Sequence, residues 1–202
     1  LLEGNDLIIP VGRWILRQVI TQLKLWEEEG HKDFHVAINI SVKQMMHPDF
    51  LYEVKSIIHE TNISPQRLVF EITETVAVQN IELATQILTE LNNLGVKTAL
   101  DDFGTGYSSL SILKLLPIQQ VKVDRSFIVE MEQDGEKSLV ILQGVLDIVN
   151  NLGMSTIMEG VETLDQLELL REMGAHKVQG YLISRPVVAE LAIELRKQIW
   201  MH

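Results

Sequence analysis

Val96-Lys-Thr-Ala-Leu-Asp-Asp-Phe-Gly-Thr-Gly-Tyr-Ser-Ser109 is the stretch from which the rest of the chain is read. An apolar run, Thr98 to Leu100, ends in two adjacent carboxylates, Asp101 and Asp102. A loop with Gly104 and Gly106 follows, and then a serine-rich helix start. A buried strand that carries acids at its carboxyl end, beside a flexible turn, is a common way to build a metal site on an α/β scaffold. Taken alone, the pair also reads as two acids capping a turn ahead of a helix. Recurrence of the pattern along the chain decides between these readings.

The joints repeat. Asn92-Asn-Leu-Gly-Val96, Asn150-Asn-Leu-Gly-Met154 and Arg171-Glu-Met-Gly-Ala175 each end a predicted helix in glycine just before a predicted strand. Gly95 to Asp101 and Gly153 to Glu159 are six steps each, and Gly174 to Gln179 is five. A strand crosses a sheet in about five residues. Each polar side chain therefore emerges at the carboxyl end of its strand, on one rim, where α/β barrels and doubly wound sheets place their active sites.

Outward from there, apolar periodicity predicts an amphipathic helix over 11–30, with Trp14, Ile15, Val19, Leu23 and Trp26 on one face and Gly30 as its stop. Strands are predicted at His35–Ile40, Leu68–Ile72, the central stretch, Gln120–Asp124, Ser155–Glu159 and His176–Tyr181. Helices are predicted at 49–60, 80–94, 108–116, 136–152, from Thr163 to Gly174 and at 188–200, with a turn-rich region around Gln133–Gly135. Tryptophan and methionine are assigned to the core. Six strands alternating with helices imply parallel βαβ units. A (β/α)8 barrel needs eight strands and about 250 residues, whereas a doubly wound sheet could be complete with six. The glycine-rich phosphate turn of the doubly wound fold is absent after the first strand. The expected fold is therefore an N-terminally truncated TIM-like barrel: a single domain over 1–202, missing its first strands. Opening at Leu1, it is expected to belong to a longer protein.

Seventeen basic against twenty-eight acidic residues give a net charge of −11, which argues against nonspecific binding to DNA or RNA backbones. An anionic substrate then needs local positive charge, most simply bound cations. The absence of cysteine excludes disulfides, thiolate zinc and a cysteine nucleophile, in keeping with a reducing, cytoplasmic compartment. No stretch approaches the length of a membrane span, so no membrane contact is expected from this segment.

The rim collects Asn39, Glu71, Asp101, Asp102, Lys122, Asp124, Glu159 and Gln179. Carboxylates and amides without a nearby His or Cys form a hard, all-oxygen donor set that suits Mg²⁺ or Mn²⁺, with two ions sharing Asp101 to activate water for an in-line phosphoryl displacement. Each member has a plainer role open to it. Asn39 with Ser41 could start a helix, Glu159 and Glu162 could be acids at a helix start, Gln179 could bond backbone, and Glu74 could cap a turn. An inward Lys122 could pair structurally with Asp124 or Asp101, or could stabilise phosphate charge.

Asn39-Ile-Ser with Gln44, Phe70-Glu-Ile-Thr-Glu74, Ala99 through Ser109, Val121-Lys-Val-Asp-Arg-Ser-Phe127, Glu159-Gly-Val-Glu-Thr163 and Gln179-Gly-Tyr-Leu-Ile-Ser184 resemble the EAL-domain phosphodiesterases from end to end. Members of that family are TIM-like barrels that linearise cyclic di-GMP to pGpG with Mg²⁺ or Mn²⁺. The resemblance implies metal ligation by Asn39, Glu71, Asp101 and Glu159, with Asp102 close to a second ion. It implies Lys122 at the attacking water or scissile phosphate and Gln179 anchoring that water. Asp124 and Glu162 become substrate-side acids, and Arg185 and Pro186 line a guanine pocket. Glu74 braces the loop of Gly104, Gly106 and Ser108, which in the family couples metal binding to homodimer contacts. The Glu-Ala-Leu motif that names the family, whose Glu is a metal ligand there, is not in this chain, so the chain as given is expected to have an incomplete metal site and to be inactive by itself; Met158 replaces a usually small residue. A receptor that binds cyclic di-GMP without cleaving it is therefore the alternative function. A sensory or GGDEF-type domain upstream and membrane anchoring of the parent protein are compatible with the resemblance.

Overall fold

The structure, a computed structural model, describes residues 6–105 and 110–199. Gly106 and Ser108, given a loop role above, lie outside the described residues, as does Trp200. The chain divides into two compact units; the chain passes from the first to the second after Asp101, returns to the first for the residues up to Gln119, and is in the second from Gln120 onward.

The first unit contains α1 (Ile8–Glu28), β1 (Val36–Asn39), α2 (Val42–Met45), α3 (Phe50–Thr61), β2 (Leu68–Thr73), α4 (Glu74–Gln79), α5 (Ile81–Asn93), the greater part of β3 (Lys97–Phe103), and α6 (Leu110–Leu115). Its strands run parallel in the order β1-β2-β3, with Asn39 level with Glu71 and Thr73 level with Asp101. Side chains alternate across a strand. Ile38, Phe70 and Leu100 thus share the buried face and meet the helices, where Ile20, Leu23, Val54, Ile57, Leu88 and Leu91 are almost wholly enclosed. Phe50 of α3 stacks at 6.2 Å on Phe70. Arg67 is buried ahead of β2, and its guanidinium donates to the carbonyls of Phe34 and His31 at 3.1 and 3.2 Å and pairs with Glu27 at 3.3 Å. A buried guanidinium is tolerated only when satisfied in this way.

The second unit contains the last residues of β3, then β4 (Gln120–Val123), α7 (Ser126–Asp134), α8 (Glu136–Asn151), β5 (Ser155–Glu159), α9 (Leu164–Glu172), β6 (Lys177–Gln179) and α10 (Ala189–Ile199). Its strands are parallel in the order β4-β5-β6, with Lys122 level with Ile157 and Glu159 level with Gln179. Val121, Val123, Thr156 and Met158 form the buried face; Leu142, Leu146 and Val149 of α8 are likewise fully enclosed. Met158 therefore fills core space and does not face the rim. The six strand–helix units and their order are those expected of a TIM-like α/β barrel.

Several elements differ from expectation. In α1 the buried stripe is Leu16, Ile20, Leu23 and Trp26, whereas Trp14 is 61% exposed. At 100° per residue Trp14 lies opposite Leu23, so its apolar character misleads where its spacing does not. β3 runs on past both acids to Phe103. The region before Gly135 is not a turn but α7, and Gly135 marks the break before α8. Two further short helices, α2 and α4, fill the loops after β1 and β2.

Candidate active site

In the first unit, Asn39 ends β1, and Glu71 and Asp101 lie two residues before the ends of β2 and β3, all on the face opposite Ile38, Phe70 and Leu100. Glu71 and Asp101 are each 7% exposed, and Asn39 is open to solvent. The helix start after β1 is capped by Ser41, whose hydroxyl accepts from the Gln44 amide while the Gln44 side chain accepts from the Ser41 amide. With that cap supplied by Ser41, the Asn39 amide is not needed there. Two buried carboxylates and an amide on one face are costly to desolvate unless positive charge meets them. Every donor is an oxygen, so the face fits a hard divalent cation of the Mg²⁺ or Mn²⁺ kind.

In the second unit, Lys122, Glu159 and Gln179 share the face opposite Val121, Val123 and Met158. The Lys122 ammonium meets the Glu159 carboxylate at 2.8 Å, with side-chain exposures of 7% and 18%. Glu159 is thus the acid found on Lys122, a partner that the sequence reading did not choose. Nor does Glu159 open a helix: α9 is capped by Thr163 with Gln166, whose side-chain oxygen also accepts from the Glu162 amide at 2.7 Å. Glu162 itself is exposed. Gln179 is exposed, and its backbone carbonyl accepts from the Val161 amide at 3.1 Å.

Asp102 opens the second unit with φ at +55°, a conformation that Asp tolerates better than most residues. Along an ideal strand adjacent side chains face opposite sides, and a left-handed residue breaks that alternation. The exposed Asp102 carboxylate is released from the strand's face by this turn, which the Thr105 amide and hydroxyl fasten through the Asp102 carbonyl at 3.3 and 3.0 Å. Gly104 is required next: at φ +104° a Cβ there would come within 2.1 Å of the Phe127 ring. Asp124 anchors the start of α7, accepting from the Ser126 amide at 2.9 Å. Burial pushes its pKa up, but hydrogen bonds from Ser126 and Arg125, with the Arg125 charge, outweigh this and hold it below the ordinary carboxylate value. Glu74 sits half-buried in the first turn of α4.

Arg185 and Pro186 join Gln179 around a groove of about 550 Å³, together with Tyr181 and residues of α10. The Arg185 guanidinium lies 4.3 Å above the Tyr181 ring. Sequence reasoning singled out neither Tyr181 nor the α10 wall, although Tyr181 stands inside the quoted Gln179–Ser184 motif.

Among the described residues, no helix is long and apolar enough to cross a membrane. The EAL domain family profile matches residues 1–186. The bifunctional diguanylate cyclase/cyclic di-GMP phosphodiesterase MucR of Pseudomonas aeruginosa is 36% identical over 190 residues, covering 94% of this chain and 28% of that protein. The signaling protein YkoW of Bacillus subtilis is 38% identical over 188 residues, covering 93% of this chain and 23% of that protein. The chain thus spans about a quarter of the length of these curated relatives. Among solved structures, the phosphodiesterase PaMucR in complex with c-di-GMP superposes with a TM-score of 0.88 at 35% identity, covering 95% of this chain and 77% of that one. The EAL domain of Mycobacterium smegmatis DcpA superposes with a TM-score of 0.85 at 36% identity, covering 98% and 86%.

Proposed function

The chain belongs to the EAL domain family, and from that premise we propose that it is the catalytic domain of a metal-dependent phosphodiesterase that opens cyclic di-GMP to linear pGpG. The observation that supports this reading most strongly is the Asn39, Glu71 and Asp101 face: an oxygen-only donor set on three consecutive strands. Relatives described as cyclic di-GMP phosphodiesterases, NbdA of Pseudomonas aeruginosa and PdeR of Escherichia coli among them, give the substrate class.

The proposed reaction consumes one water. A bond forms between the water oxygen and phosphorus, the bond from phosphorus to one ribose O3′ breaks, the water gives up one proton, and the leaving O3′ takes one up. Asn39, Glu71 and Asp101, with Asp102 and Glu159, are the proposed holders of Mg²⁺ or Mn²⁺, in one or two ions. When bound, such ions polarise phosphate oxygens and lower the pKa of coordinated water. The chain's own groups do the remainder. Lys122, held by Glu159, presents a fixed ammonium to the charge that grows on the phosphate, which is worth most where water is excluded. Gln179 offers an amide to hold the attacking water. Asp124, already favoured as the carboxylate, keeps the start of α7 in place beneath the Asp102 turn. A cytoplasmic homodimer, possession of an upstream regulatory domain and a loop-bracing role for Glu74 belong to the same proposal.

The test is turnover by the intact protein with Mg²⁺ or Mn²⁺ against the Asp101→Asn variant, with products separated by chromatography. Linear pGpG from the parent and none from the variant is the expected result. Saturable binding of cyclic di-GMP with no product from the parent, and no effect of chelation on that binding, would instead make the domain a receptor.

A further inference from the structure

Gly12 stands inside α1, where alanine would make the better helix. Its reason lies on α2. A Cβ at residue 12 would overlap the end of the Gln44 side chain, whose amide nitrogen occupies that space. Gln44 is the third residue of α2 and is 9% exposed. Its side-chain oxygen accepts from the Ser41 amide at 3.0 Å and from the Ser41 hydroxyl at 2.8 Å. One side chain therefore runs from the backbone of α1 to the residue two beyond Asn39.

That brace ends at the metal face. Asn39 closes β1, which stands at the end of the strand order with β2 as its one neighbour among the described strands. Among the described residues no hydrogen bond holds the Asn39 carboxamide, so its position depends on the backbone around it. Two contacts fix that backbone just past the strand. The Ile40 amide donates to the Glu71 carbonyl at 2.8 Å, and the Ser41 amide donates to Gln44. Contacts behind a metal ligand that orient it change metal affinity by about ten- to a hundredfold. We infer that Gln44 is a positioning residue for the Asn39 amide, braced against α1 at Gly12, and that this brace sets the affinity of the face for its cation. The inference rests on the metal-dependent reading above.

Mn²⁺ titration of the intact protein, followed by electron paramagnetic resonance of the free ion, tests it without turnover. In Gln44→Ala the Mn²⁺ Kd should rise about ten- to a hundredfold. Gln44→Glu offers an acceptor to the same Ser41 groups, as glutamate does in a capping box, and should bind Mn²⁺ at least as tightly as the unaltered protein. Gly12→Ala improves the helix yet pushes the Gln44 amide from its place, so it should raise Kd as Gln44→Ala does. In the double variant the overlap is gone, and its Kd should match that of Gln44→Ala alone. A contact that only supports the fold would lower Tm and leave the Kd of folded protein unmoved. Circular dichroism identifies the folded variants, and if Gln44→Ala is unfolded Gly12→Ala decides. An unchanged Kd in either folded single variant, a weakened Gln44→Glu, or losses that add in the double variant overturns the inference. No Mn²⁺ binding by the unaltered protein, or binding that Asp101→Asn leaves undiminished, overturns the metal reading instead, and this inference with it.

Discussion

The two units present opposite solutions to the same electrostatic problem. On the Asn39, Glu71 and Asp101 face, acids gather on neighbouring strands, an arrangement suited to a divalent cation. On the Lys122, Glu159 and Gln179 face, the acid meets a lysine at 2.8 Å within the unit itself. The first face is the one we propose to hold a divalent cation. The second holds its ammonium in place through Glu159, and on the proposed reading a charge oriented in advance lowers a barrier without reorganising. On that reading, the first face gathers metal-holding acids, whereas the second pairs one proposed metal holder, Glu159, with a fixed ammonium.

The largest expected effect breaks the first face. Asp101→Asn should lower turnover about a thousandfold or more, since several kcal/mol of charge stabilisation depend on the cation. It should also abolish the rise in Tm that Mg²⁺ gives the unaltered protein, a rise of about 5–10 °C at a hundred times Kd. Lys122→Met breaks the second face and should behave differently. Turnover should fall about a hundred- to a thousandfold, and thermal unfolding should show a loss of about 3–5 kcal/mol, because Glu159 loses its buried partner. The Mg²⁺-dependent rise in Tm should survive. If both variants lose it, the distinction between the faces is wrong.

Smaller effects sharpen the boundary between the two. Gly104→Ala forces the Phe127 ring aside and strains a positive φ, and a loss of about 1–3 kcal/mol in denaturant unfolding is expected. The smallest effect concerns acid. The pKa of Asp124 is lower in the folded protein than its ordinary 3.8, so its contribution is fully present above that value. It is lost as pH falls below 3.8 and through the folded value. Asp124→Asn should therefore flatten the fall in stability on the acid side of pH 4 and leave neutral stability within about 1 kcal/mol. A steeper acid limb in the variant would contradict the sign.

Much of this was legible in the residues, for definable reasons. Fixed spacing from a helix-ending glycine to a polar residue located the strand ends at Glu159 and Gln179, because strand length is set by the width of the sheet, and at Asp101 it fell two residues short of the end of β3. The pairing of Lys122 with Glu159 was not legible, since the two are far apart in sequence and only the strand order brings them together. The turn at Asp102 was hidden too: two adjacent acids read as the end of a strand, and nothing in their identity announces a positive φ. Trp14 misled because apolar character was weighed above angular position, and α7 was missed because Gln133–Gly135 drew attention from the Asp124–Ser126 start. The groove wall from α10 had no motif to signal it.

The measurement that bears most directly on the account is hydrolysis of cyclic di-GMP by the intact protein in ¹⁸O-labelled water with Mg²⁺, read by mass spectrometry. The account predicts linear pGpG carrying one heavy oxygen in its terminal phosphate, and no product once the metal is chelated. Intact cyclic di-GMP in the presence of Mg²⁺, or pGpG formed undiminished in chelator, would contradict it.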